Sequence, residues 1–185
     1  MAITFNADEI LSMAERIARN GHRFYERGIA VCEGAPTREL FERLAGSWAR
    51  HENHFAAIRA SVSDEDRELT SLDPVGEAEL YLQAMADSHV FTEAVRFEDE
   101  LSCDVSNEVI LEKALSFEKD TTLFFVAMAK LVPARLGKDV VERLIADEME
   151  HVTGLMRERN RLRAPAPDTA CTREGEVFAC GHEDE

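Results

Sequence analysis

Apolar residues recur at helical spacing in four long stretches of the chain. Ile10, Leu11, Ala14, Ile17, Ala18, Gly21, Tyr25 and Gly28 fall three or four apart or as adjacent pairs, so a helix through them turns one face inward. Leu40, Phe41, Leu44, Trp48, His51, Phe55, Ile58 and Val62 define a second such face after a break at Glu33-Gly34-Ala35-Pro36. Ile110, Leu111, Ala114, Leu115, Glu118, Thr122, Phe125, Met128 and Leu131 define a third, which Pro133 ends. Val141, Leu144, Ile145, Glu148, His151, Val152 and Leu155 define the fourth. These patterns predict helices near 8–33, 37–62, 106–132 and 138–163. Asn6 or Asp8 is expected to cap the first, Ser106 the third, and Asp139 with Glu142 the fourth in the manner of a capping box.

The short break makes the first two helices antiparallel neighbours. A shorter amphipathic helix is expected at 77–91, with Leu80, Tyr81, Ala84 and Met85 on one side. It lies in a long crossover, about 64–105, which returns the chain along the bundle and makes the second and third long helices parallel. The fold class is therefore all-α: a four-helix bundle of two helical hairpins joined by a long crossover containing a short helix. The bundle domain is expected over 1–163. Beyond it, 164–185 carries Ala-Pro-Ala-Pro and an acidic end and is expected to be a flexible tail.

Two of the inward stripes are interrupted by charge. Glu118 sits within the third, and Glu148 and His151 within the fourth, three residues apart and so on one helix face. Burying an unpaired ionised group costs several kcal/mol, so such groups are normally paired, hydrogen-bonded or bound to metal. A buried polar cluster and a metal site both satisfy that demand.

An internal repeat ties the two halves together. At an offset of 100 residues, Ile10, Leu11, Ala14, Phe24, Glu42, Arg43, Leu44, His51 and Arg59 recur as Ile110, Leu111, Ala114, Phe124, Glu142, Arg143, Leu144, His151 and Arg159. Tyr25 stands against Phe125. The inward positions Glu118, Glu148 and His151 correspond to Ala18, Trp48 and His51, so the second copy keeps three ligand-type residues and the first keeps one. His51 is a further candidate ligand, with a satisfied core histidine as the alternative. His22, one turn from Ala18, is another, with capping or a hydrogen bond to Glu148 as alternatives. The small Ala18 and large Trp48 read as a matched packing change that fills the space of two missing carboxylates. Tyr25 is a candidate donor to a carboxylate at the site, with a core aromatic whose hydroxyl finds another partner as the alternative.

A Glu seven residues before an aromatic, then E-x-x-H on the next helix, is here Glu118 with Phe125, then Glu148 and His151. In this the chain resembles the rubrerythrin-like branch of the ferritin-like superfamily over roughly residues 5–163, and Phe5-Asn6-Ala7-Asp8-Glu9 and Asn20-Gly21-His22-Arg23-Phe24-Tyr25 are similar too. The resemblance implies a ferritin-like bundle with a di-iron carboxylate centre that reduces peroxide or oxidises ferrous iron, and commonly a homodimer. The chain departs from the pattern at Ala18 and Trp48, where the first hairpin would carry two Glu ligands. The expectation is therefore one divalent ion per chain, held by Glu118, Glu148, His151 and His51, with two-electron chemistry weakened or lost. Mixed carboxylate and imidazole donors suit Fe, Mn or Zn.

Composition narrows the class further. At 185 residues with 45% hydrophobic content, nine Gly and five Pro, the chain has the make-up of a single globular, helix-rich domain. A net charge of −16 argues against nucleic acid or an anionic membrane as partner. No apolar run approaches a membrane span and no signal pattern opens the chain, so a cytoplasmic protein is expected. Cys32, Cys103, Cys171 and Cys180 include no C-x-x-C pair, so any iron that passes electrons to the site belongs to an external donor. The competing reading is a metal-free bundle used as a scaffold or protein-binding module.

Overall fold

The computed structural model describes residues 6–68, 105–132, 134–164 and two short strands at 172–173 and 176–177. Four long helices dominate: α1 (Ala7–Val31), α2 (Ala35–Ala60), α4 (Asn107–Leu131) and α5 (Lys138–Arg163). A five-residue helix, α3 (Asp64–Glu68), opens the crossover, and a 3-10 turn, Ala134–Leu136, joins α4 to α5. The helix expected at 77–91 lies outside the described residues. Thr172–Arg173 pairs antiparallel with Glu176–Val177 within the stretch expected to be a tail. The all-α bundle stands.

Local chemistry sets the helix ends. Asn6 accepts from the Glu9 backbone N–H while Glu9 reaches back to the Asn6 N–H, a reciprocal cap that satisfies two otherwise orphaned donors. Ser106 accepts from Val109 to start α4. The start of α5 differs from expectation: Gly137, at φ 89°, is its N-cap with no side-chain bond, and Asp139 instead pairs with Arg143 one turn on. A left-handed residue is needed there to turn the chain out of the 3-10 segment. A Cβ at Gly137 would also sit 3.0 Å from Ile58.

Ion pairs and hydrogen bonds fix the directions of the helices. Arg59 near the end of α2 reaches Asp8 at the start of α1, so these two are antiparallel. Asn107 at the start of α4 bonds the Glu33 carbonyl and Thr37 at the start of α2, which makes α2 and α4 parallel as the long crossover requires. Thr37 in turn donates to Glu158 near the end of α5 (2.5 Å), and Arg161 holds the same carboxylate. The core runs the length of the bundle, from Ile10, Leu11 and Phe55 at one end through Trp48 and Phe125 to Phe41 and Leu155 at the other.

Candidate metal centre

At mid-bundle the apolar core gives way to a polar group. Glu118 and Glu148 are fully buried and His151 nearly so, and a ligand atom from each lies within 4.8 Å of the others. His151 Nδ1 is 3.3 Å from Glu118 Oε2 and 3.2 Å from Glu148 Oε2. Metal–ligand bonds of about 2.1 Å put neighbouring donors about 3.0–3.4 Å apart, so these separations, which are also those of hydrogen bonds from the imidazole, would suit atoms sharing one ion.

The other Glu118 oxygen is occupied by the first hairpin. Tyr25 Oη donates to Oε1 at 2.5 Å and Trp48 Nε1 donates to the same oxygen at 3.1 Å. Trp48 is fully buried and therefore fills the space facing Glu118, as its pairing with Ala18 implied. It also supplies a hydrogen bond there, which its residue type alone did not reveal. Gly21 makes room for the indole: a Cβ at this position would come within 2.6 Å of it.

His51, 2% exposed, lies on the far side of Glu148, with Nδ1 3.2 Å from Oε1. Its Nε2 is 3.4 Å from Asp147 Oδ2 and 3.4 Å from Ser47 Oγ. A carboxylate beside Nε2 selects the tautomer that carries its proton there and leaves Nδ1 with a bare lone pair. Both His51 Nδ1 and Glu148 Oε1 are buried without a hydrogen-bond partner. Two unpaired acceptors facing one another cost free energy that a cation between or beside them, or a proton on Glu148 Oε1, would remove. The donor set and the orphaned pair both fit a transition-metal ion.

His22 is not part of this group. Its ring sits at the edge of the α1–α2 contact, 30% exposed, with Nδ1 3.0 Å from the Ala45 carbonyl oxygen and Nε2 3.4 Å from Glu26. Position 22 follows Gly21, which faces the indole, and one further residue turns the side chain away from the core. The structure does not bring His22, expected as a ligand, to the Glu118, Glu148 and His151 group. His54 is exposed.

Electrostatics divides the two carboxyls. Burial, the neighbouring Glu118 charge and a hydrogen bond to it push Glu148 well above the ordinary carboxyl range. Burial also pushes Glu118 up, but hydrogen bonds from Glu148, His151 and Tyr25 outweigh it and hold Glu118 below its usual value. Two carboxyls in one dry site cannot both ionise without a cation, so they share a proton. Burial and His151 lower His51 to about 4, which keeps it neutral and able to act as a ligand.

Neither a family model nor a curated protein matches the chain. Among solved structures, one from Thermotoga maritima described as a ferritin-like diiron-carboxylate protein matches with a TM-score of 0.69 and 19% identity, covering 86% of this chain and 97% of that one. No helix among the described residues is long and apolar enough to cross a membrane. The chain shares its fold with that protein, and at its centre lies a Glu, Glu, His group that could hold a metal ion.

Proposed function

We propose that this chain binds one divalent transition ion, Fe or else Mn or Zn, through Glu118, Glu148 and His151, with His51 as the next donor. The observation that carries the reading is the unpartnered pair His51 Nδ1 and Glu148 Oε1, beside a buried set of three donors. Bound there, an ion of this kind supplies Lewis acidity and, for iron or manganese, one-electron redox chemistry. The residues do the rest. Tyr25 and Trp48 fix Glu118 so that only Oε2 is left for coordination, and Asp147 holds the His51 ring with Nδ1 toward Glu148. Ala18 and Trp48 offer no ligand where a second ion would need one.

The activity this reading supports is a rubrerythrin-type oxidoreductase reaction with peroxide or ferrous iron, reduced to a single-ion centre and served by an external electron donor. A second reading has its own observation: Tyr25 and Trp48 already satisfy one Glu118 oxygen without any ion, as a metal-free scaffold would require. Metal analysis of protein purified without chelator separates the two. About one equivalent of Fe, Mn or Zn per chain supports the centre, none supports the scaffold, and two tight irons would refute the single-ion reading.

A further inference from the structure

Between α2 and α5 the described residues form a groove of about 700 Å³. That volume is in the range of small-molecule sites. Its wall includes His151, the one member of the Glu118, Glu148, His151 group that reaches it, and also Ser47 and Asp147, which both approach His51 Nε2. The groove is thus the side from which the buried group is approached.

Its charge runs against that of the chain. In a protein of net charge −16, three guanidinium groups line this groove: Arg43 and Arg50 from α2 and Arg157 from α5. Arg43 bonds the Glu39 carbonyl of its own helix, but Arg50 and Arg157 have no hydrogen bond or ion pair with any described residue. Of the two acids in the wall, Asp147 is turned to His51, which leaves Glu150 against the three cations. The exposed Met149, with the mostly buried Leu40 and Leu44, supplies the apolar part of the wall beside them.

We infer that this groove binds a small organic anion, with a carboxylate or phosphate head on Arg50 and Arg157 and a short apolar part along Met149, Leu40 and Leu44. A guanidinium fork matches either head with paired N–H donors, and both oxyanions present the same planar pair of acceptors. Such a ligand lies against His151, at the outer edge of the metal group. The groove itself does not require the metal; the ligand's place in the chemistry rests on the proposed centre.

The chain reports on its own groove. Trp48 is the single tryptophan, and its ring centroid lies 6.4 Å from that of His151. Titrating the full-length, metal-free protein with hexanoate, hexyl phosphate and uncharged hexanol, read by calorimetry and by Trp48 emission, tests the proposal. Saturable binding of the anions but not of hexanol is expected, and the double variant Arg50→Gln with Arg157→Gln should weaken it at least about tenfold. Arg23→Gln, on α1 away from the groove, should leave binding intact. The tighter of the two anions identifies the head group. No saturable binding by the parent protein, equal binding of hexanol, or binding indifferent to the double variant would overturn the assignment. A zinc titration on the same samples keeps the two ideas apart: a chain that takes up no zinc but binds the anion through these arginines retains the groove and loses only the metal.

Discussion

The two hairpins of the bundle share a plan and divide the polar chemistry between them. α1 and α4 are the same length and begin 100 residues apart, at Ala7 and Asn107, and both bury the Ile, Leu and Ala of their first turns. At the centre they part. The second hairpin contributes the carboxylates Glu118 and Glu148, whereas the first contributes Ala18 and donors, Tyr25 Oη and Trp48 Nε1, aimed at Glu118. Position 125, the counterpart of Tyr25, is Phe and has nothing to donate. The repeated pattern carries an uneven site: both buried carboxylates lie on one hairpin, and the two donors to Glu118, with His51 beside Glu148, lie on the other. The lesson is that a repeat position without a carboxylate need not leave a void or an unpaired charge when the residue there donates to the carboxylate of the other hairpin.

The most severe test of that division is Trp48→Glu. Alone it places a third carboxylate in a dry core beside Glu118 and removes a donor, which should cost several kcal/mol and lower the denaturant midpoint sharply. Paired with Ala18→Glu it rebuilds the missing half, and metal analysis should then find about two ions per chain. A double variant that binds no more metal than the parent would break the comparison.

Next in size is the loss of metal from the intact half. Glu148→Ala should abolish binding in a zinc titration, because Glu148 faces both histidines. His51→Ala should weaken it about ten- to a hundredfold and leave some uptake. If His51→Ala is the more damaging of the two, the site belongs to the first hairpin.

Tyr25→Phe and Trp48→Phe each remove one donor from Glu118 Oε1, and each should cost about 1–3 kcal/mol in urea unfolding. Equal effects on adding the two together, with no coupling, would mean that the donors do not act on a shared oxygen.

The smallest effect is a control at the far end of the bundle. Arg161 and Thr37 hold Glu158 below the ordinary carboxyl range, so its contribution to stability is present above the unfolded value of about 4.3 and fades as pH falls through the lower folded one. Glu158→Gln should flatten that acid limb of the stability curve slightly and leave metal uptake unchanged.

Much of this architecture was legible in the residues. The stripes place all four long helices within a few positions of their ends, because apolar spacing of 3.6 leaves few other folds for a chain with so few breakers. Glu118, Glu148 and His151 were found for the same reason, as charges at positions that packing would otherwise fill. Directional details were hidden. Trp48 reads as bulk because nothing in its type says where its N–H points, and Asp147 reads as surface because it is off the stripe, although it meets His51. His22 misled because one residue beyond Gly21 is enough to rotate a side chain out of the core. The arginines of the groove come from two helices more than a hundred residues apart, so only the fold assembles them.

The polar bonds between the hairpins have a kinetic meaning as well. Tyr25 to Glu118, Trp48 to Glu118 and Thr37 to Glu158 all run from one hairpin to the other. Each hairpin can form from local contacts, but these bonds exist only once the two have docked, and they demand closer alignment than apolar packing does. They should therefore be absent when the folding barrier is crossed, so Tyr25→Phe should leave the refolding rate nearly unchanged and speed unfolding by most of its stability loss. On this account the charged centre acts as a latch on an assembled bundle: it sets how long the halves stay together, and has little influence on how quickly they meet.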